Sequence, residues 1–305
     1  MPTFQSPVDS ASLFYRYYVP SGSPHRPATT LKRQPLTLVF LHGWPMSSRM
    51  FDQLIVPLVE THRFPVIAPD RRGFGNSDWS TPATGEVTFD TFVADLVALL
   101  EHLSPGPFVF VAASMGCSES VLARAASEAV GRQCRGFVWL GPNMPYSVAC
   151  DECPGAPAPA VWDALVHGFR QSDGKDFIAQ QVPGVFRVDL GNPVGEPTLR
   201  FYERLVGQAD PVAIERTAII LQKPMAEELK KLAAADQGER LPVLILHGDS
   251  DAGMPLEVSA AVVHELLPWS QLKVYEKAGH GLYLTHAEKV LDDLLGFLAA
   301  IPTNE

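Results

Sequence analysis

Cysteine is scarce: the 305 residues hold four, at positions 117, 134, 150 and 153. That is too few and too scattered for a disulfide framework in a chain of this length. Cys150 and Cys153 have C-x-x-C spacing, but no second ligand pair completes a zinc site. Two ordinary loop thiols are the better reading, and neither a metal nor an organic cofactor is expected. No apolar run approaches the roughly 18 residues of a membrane span. The opening Met1-Pro2-Thr3-Phe4-Gln5-Ser6 has no basic and no strongly apolar stretch, so a signal peptide is not expected and a reducing, cytoplasmic setting fits best. Cations are also short, with 24 Lys and Arg against 34 Asp and Glu and a net charge of −10. The pairs Arg71-Arg72 and Lys230-Lys231 are too small to bind a phosphate backbone, which disfavours nucleic acid. The expected partner is a small molecule; homo-oligomerisation is left open.

What is present is globular in character: 46% hydrophobic and 19% charged residues. Strand-like and helix-like segments alternate. Residues 36–41 form a near-continuous apolar run, as expected of a strand buried on both faces. Residues 64–68, 108–113, 136–140, 242–246 and 272–275 read likewise as strands. Helical spacing marks 50–59 and 88–103, the second with Phe89, Phe92, Val93, Leu96 and Leu100 on one side. A last helix is expected to start from Thr285-His286-Ala287-Glu288, with Thr285 as its N-cap. Residues 13–18 read as an antiparallel edge strand, followed by a Pro/Ser/Gly-rich connection at 20–27. The pattern predicts an α/β fold with a mostly parallel central sheet and helices on both faces. Residues 146–239 break the βα rhythm and read as an inserted helical cap, leaving 1–145 and 240–305 as the core domain.

The run from Phe108 to Gly116 carries the chemistry. A strand ending in small-x-Ser-x-small, here Ala112-Ala113-Ser114-Met115-Gly116, is a nucleophile elbow, a turn so sharp that it lifts the serine hydroxyl clear of the sheet. A serine needs a base, and the base needs an orienting acid. Two later strand ends supply them: His247-Gly248-Asp249-Ser250-Asp251 and Gly279-His280-Gly281. The catalytic set expected is Ser114, Asp251 and His280. Asp249 competes for the acid role, but Asp251 has the spacing from Gly248 usual for this loop. One strand earlier, Asn143 has no charge to stabilise an imidazolium. Acyl transfer also needs two N–H donors for the oxyanion. Met115, after the nucleophile, is one. In His42-Gly43-Trp44-Pro45 the proline cannot donate, which leaves Trp44 as the other.

His42 and His247 read as hydrogen-bonded structural histidines. The Gly-x-Gly in Asp70-Arg71-Arg72-Gly73-Phe74-Gly75-Asn76-Ser77 lacks the third glycine of a dinucleotide fingerprint. That loop instead holds a strand end through Asp70 and Arg72. Glu119 reads as a polar helix residue.

His42-Gly43-Trp44-Pro45, the loop from Asp70 to Ser77, the Ser114 elbow, Gly248-Asp249-Ser250-Asp251 with Pro255, and Gly279-His280-Gly281-Leu282 together resemble the α/β-hydrolase superfamily over nearly the whole chain. The nearest look is the cofactor-free haloperoxidase, perhydrolase and aryl esterase branch. Two positions depart from its pattern: Ala112 stands where glycine is commoner, and Cys117 replaces another frequent glycine. Epoxide hydrolases and haloalkane dehalogenases carry an aspartate at the position of Ser114, so their alkyl-enzyme chemistry is disfavoured. The resemblance implies a serine esterase acting on an acyl bond of a medium-sized, largely apolar small molecule. Perhydrolysis, carbon–carbon hydrolysis of a diketone, and non-hydrolytic ligand binding on the same scaffold are the alternatives.

Overall fold

A computed structural model describes residues 2–21, 36–79, 88–171, 174–235 and 240–301. The first half runs β1 (Thr3–Gln5), β2 (Ser12–Tyr18), β3 (Thr37–Leu41), α1 (Asp52–Glu60), β4 (Val66–Pro69), α2 (Phe89–Leu103), β5 (Phe108–Ala113), α3 (Met115–Ala126), α4 (Glu128–Gln133) and β6 (Cys134–Leu140). Then come α5 (Pro159–Gln171), α6 (Gly174–Ala179), α7 (Val182–Val185), α8 (Glu196–Gln208), α9 (Pro211–Ile220) and α10 (Ala226–Ala235). The chain closes with β7 (Val243–Gly248), α11 (Ala260–Leu266), β8 (Gln271–Tyr275), α12 (Leu282–Thr285) and α13 (Ala287–Ala300).

Among the described residues the strands form one sheet in the order β1-β2-β4-β3-β5-β6-β7-β8. Strands β3 to β8 pair in parallel, while β1 and β2 join antiparallel. The 13–18 segment is therefore the strand next to the edge; β1, which is only three residues long, covers it. Most of the 20–27 connection and residues 236–239 at the cap boundary lie outside the described residues.

The apolar runs are continuous because both faces are covered. Leu38, Phe40, Val109, Val111, Val138 and Leu244 point toward α1 and α13. Their neighbours Val39, Leu41, Phe110, Ala112, Trp139 and Ile245 point toward α2, α3 and α11. This is the period of two expected of strands, with no polar face. The register matters for the site. Ala113 lies beside Leu140, Leu140 beside Leu246, and Leu246 beside Lys273. The residues that follow β5, β6, β7 and β8 thus emerge along one rim, the carboxyl edge where ligands collect in open α/β sheets.

Residues of α5 to α9 and their connections roof a cavity over this rim. Helix α10, by contrast, packs through Leu229 and Leu232 into the core on the α3 and α11 side. At the carboxyl end, α13 starts at Ala287 with His286 in the cap position, and no side chain caps it. The expected Thr285 cap does not form. Leu282–Thr285 closes its own short helical turn, and the Thr285 hydroxyl pairs with His286 Nδ1 at 2.9 Å.

Candidate active site

Ser114 sits between β5 and α3 with φ 50° and ψ −121°, a backbone conformation costly for any residue with a side chain. The turn is held by Ser114 N–H to Leu140 O at 3.0 Å and Cys117 N–H to Ser114 O at 2.8 Å. The need for a small residue at position 116 is steric. A Cβ on Gly116 would lie 2.4 Å from the carbonyl oxygen of Leu41, a backbone atom that cannot move aside. Cys117 fits as well as glycine would: it is fully buried, and its thiol donates to Ala112 O at 3.2 Å. Burial pushes that thiol well above its usual pKa and keeps it unreactive.

His280 Nδ1 lies 2.6 Å from Asp251 Oδ2. The other carboxylate oxygen, Oδ1, accepts from the N–H groups of Gly253 (3.0 Å) and Met254 (2.9 Å). Asp251 is 4% exposed, yet ionised. Burial alone would raise its pKa, but the His280 ring, through charge and hydrogen bond, and these amides bring it below the usual value. Burial likewise works to lower the pKa of His280, and the Asp251 charge and hydrogen bond outweigh it, so the net direction is upward. Asp249 is exposed and accepts only the Ser250 hydroxyl, at 2.8 Å. Of the two aspartates, geometry brings Asp251 to the imidazole.

Ser114 and His280 both line the cavity, whose volume is about 520 Å³. The structure does not bring the two side chains into hydrogen-bond contact with each other; in free enzymes such bonds commonly tighten only around substrate. Asn143, at the earlier acid position, also lines the cavity, and its Oδ1 accepts from Ser118 at 3.0 Å. Among the described residues the lining contains no Asp, Glu, Lys or Arg. Trp44, Met46, Met50, Trp162, Leu165 and Val206 make it largely apolar.

The Trp44 and Met115 N–H groups have no acceptor among the described residues. Trp44 shares a peptide plane with the Gly43 carbonyl, and that carbonyl accepts from Met46 N–H at 3.0 Å and meets His42 Nδ1 at 2.9 Å. His42 Nε2 accepts from Arg71 N–H at 2.9 Å, so Nδ1 carries the proton and donates to Gly43. Burial, and then the Arg71 charge, drive the His42 pKa far down and keep the ring neutral. His42 is thus the structural histidine expected, but with a specific effect: it fixes the peptide that carries the Trp44 N–H. The Trp44 indole ties the same loop to the roof, donating to Ile214 O at 3.1 Å. His247 is neutral by burial and meets Met254 O at 2.8 Å, with Nε2 3.6 Å from Asp251 Oδ2.

The Asp70 loop behaves as a brace. Asp70 accepts from Ser48 N–H (2.8 Å) and Asn76 N–H (2.9 Å), and Gly75, at φ 58°, leaves room for its carboxylate. Arg72 is buried in a double fork on Asp95 and Asp9. Glu119 is more than a polar helix residue: it is buried and paired with Arg71 at 2.5 Å. Sequence reading missed that pair because nothing local in α3 signals a buried acid. Cys150 and Cys153 are free thiols, and the backbones of the two residues pair with each other in a tight turn. No group of three or more His, Cys, Asp or Glu suited to a metal ion occurs among the described residues.

Residues 37–287 match the family model for the alpha/beta hydrolase fold. The chain belongs to the alpha/beta hydrolase family. Its relatives place this alpha/beta hydrolase among esterase-like enzymes. A non-heme chloroperoxidase of Kitasatospora aureofaciens is 30% identical over 86% of this chain and 91% of that protein. A bifunctional esterase/perhydrolase of Acinetobacter calcoaceticus is 29% identical over 95% of this chain and 97% of its own length. Among solved structures, a bromoperoxidase from Bacillus anthracis superposes with a TM-score of 0.81 at 28% identity, covering 98% of this chain and 99% of that one. The resemblance read from the motifs is thereby borne out, as is the fold. No helix among the described residues of this alpha/beta hydrolase is long and apolar enough to cross a membrane.

Proposed function

We propose that this protein is a serine hydrolase that cleaves an ester or related acyl bond in an uncharged, largely apolar small molecule. Ser114 Oγ attacks the acyl carbon while His280 Nε2 takes the hydroxyl proton. The carbonyl electron pair moves to the oxygen, which the Trp44 and Met115 N–H groups receive. When the tetrahedral centre collapses, the bond to the leaving alcohol breaks and His280 returns the proton to it. Water, deprotonated by His280, then attacks the acyl-enzyme and releases the acid and Ser114. Asp251 holds the imidazole with its proton on Nδ1 and stabilises the imidazolium. The observation that carries this reading is the 2.6 Å contact between His280 and Asp251 at the wall of a cavity that Ser114 also lines.

A fluorophosphonate probe tests it together with hydrolysis of p-nitrophenyl butyrate. The native protein should be labelled at Ser114 and turn over the ester. Ser114→Ala should lose the label and about 10⁴-fold or more of kcat while staying folded. Hydrolysis persisting near native levels in that variant would overturn the assignment.

The Acinetobacter calcoaceticus relative, named for both esterase and perhydrolase activity, favours a second reading at the same site. Hydrogen peroxide would replace water on the acyl-enzyme and leave with the acyl group as a peracid. Measuring peracid formed from ester plus peroxide separates the two outcomes.

A further inference from the structure

The cavity contains a polar group that the proposed chemistry does not use. Among the described residues five non-indole polar side chains line it: Ser114, Asn143, Gln181, His280 and Tyr283. Ser114 and His280 have roles in the reaction. Asn143 is held by Ser118, and Gln181 reaches Phe177 O at 3.4 Å. Tyr283 is 3% exposed, and its hydroxyl has no hydrogen-bond partner among the described residues.

The ring is firmly placed. Its centroid lies 5.9 Å from that of Phe51, 6.2 Å from that of Phe186 and 6.3 Å from that of Tyr202. No hydrogen bond joins the hydroxyl to Tyr202, whose own OH donates to Met50 O at 3.0 Å. Enclosed side-chain atoms without a hydrogen-bond partner do occur among the described residues, on Ser47, Ser48 and His247, and the Tyr283 oxygen is not among them. It therefore opens onto the cavity that its side chain lines. Burial, then the neighbouring Tyr202, hold its pKa well above the ordinary phenol value, so the group stays protonated and is a donor.

A buried hydroxyl without a partner is costly, and phenylalanine would pack the same space without that cost. Tyr283 also lies one helical turn past His280, on the short turn Leu282–Thr285. We propose that the Tyr283 hydroxyl selects substrates carrying an uncharged oxygen acceptor (a hydroxyl, ether or keto group) close to the scissile ester, by donating to that oxygen. This deepens the esterase reading above and rests on it. The substrate class is an uncharged oxygenated ester: the lining has no ionised carboxylate or cation for a charged one, and a purely aliphatic ester would leave the phenol unpaired.

Isosteric ester pairs test the idea, with hydrolysis followed by pH-stat. On the acyl side, ethyl 3-hydroxybutyrate is compared with ethyl 3-methylbutyrate. On the alcohol side, 2-hydroxypropyl butyrate is compared with 2-methylpropyl butyrate. The readout is the kcat/KM ratio within each pair, for the native protein and for Tyr283→Phe. In at least one pair the native protein should favour the oxygenated ester about 3- to 10-fold more strongly than the variant does. Ratios equal in native and variant proteins for both pairs would overturn the proposal. A second readout is thermal unfolding. Removing an unpaired hydroxyl should leave the midpoint unchanged or higher, and a fall of several degrees would show that the group is paired inside the protein, which also overturns it. Failure of the esterase reading looks different: no ester of either pair is hydrolysed and the fluorophosphonate probe does not label Ser114.

Discussion

Replacing Asp251 by asparagine changes one atom and should disable the base. The two oxygens of Asp251 are not equivalent. Oδ1 is claimed by the Gly253 and Met254 N–H groups, and Oδ2 faces His280 Nδ1. An asparagine amide oxygen must keep the Oδ1 place, because an NH₂ group there would meet two donors. The NH₂ then points at His280 and donates to Nδ1. That pushes the imidazole proton onto Nε2, the nitrogen that has to accept from Ser114. An enforced wrong tautomer costs about 10³- to 10⁴-fold in kcat, or about 4 to 5.5 kcal/mol at 1.36 kcal/mol per decade. The pH profile should move too. In the native protein the Asp251 charge and hydrogen bond hold the His280 pKa above the ordinary 6.5; without the charge, burial, which acts to lower it, is left in command. The acid limb of the variant should therefore inflect at lower pH than that of the native protein. The assay is kcat/KM for p-nitrophenyl butyrate from pH 5 to 9, with Asp249→Asn as companion. Asp249 is exposed and bonded only to Ser250, so its variant should stay within about twofold of native. An Asp251→Asn protein within tenfold of native, with an unmoved inflection, would refute the assignment of the acid.

In the native protein, activity should fall on acidification with an inflection above 6.5, since only neutral His280 can take the serine proton and its pKa is raised; a profile flat from pH 5 to 8 would remove His280 as base. Gly116→Ala should destabilise the fold by about 1–3 kcal/mol in urea unfolding, because its Cβ would meet the Leu41 carbonyl at 2.4 Å. Gly207→Ala, in α8 with nothing within 4 Å of the new methyl, should instead be neutral or stabilising by up to about 1 kcal/mol, and equal effects at the two sites would contradict the steric argument. Arg72→Ala strands the buried Asp95 carboxylate and should cost about 3–5 kcal/mol by the same measurement; a loss below about 1 kcal/mol would show the fork to be dispensable.

What the sequence makes legible here depends on how local the physics is. The parallel strands are readable because burial on both faces leaves almost no polar residues in them, as in β5, which has none, and β3, where Thr37 is the one polar side chain. The elbow is readable because its steric limits fall on residues two either side of Ser114. Asp251 is preferable to Asp249 on its spacing from Gly248, and the structure places Asp251 against the imidazole and Asp249 at the surface. Local signals also misled. Thr285 and Glu288 have capping-box spacing, yet the chain bends between α12 and α13 and Thr285 ends one helix without starting the next. Helices α4, α6, α7, α10, α11 and α12 went unread, since they occupy connections where no long periodic stripe builds up. The pinning of the Gly43 carbonyl by His42, the pairing of Glu119 with Arg71 and the unpartnered hydroxyl of Tyr283 belong to a further class. Each is defined by what lies across the fold from it. A tyrosine in Gly281-Leu282-Tyr283-Leu284 looks like any core aromatic until the fold packs it among the rings of Phe51, Phe186 and Tyr202 at the wall of the cavity. In the proposed reading the reaction type follows from residues the chain fixes locally, whereas the choice of substrate is written in contacts between the core and the roof laid over it. Substitutions in the roof and at Tyr283 should accordingly change which ester is cleaved, and substitutions at Ser114, Asp251 and His280 whether any is.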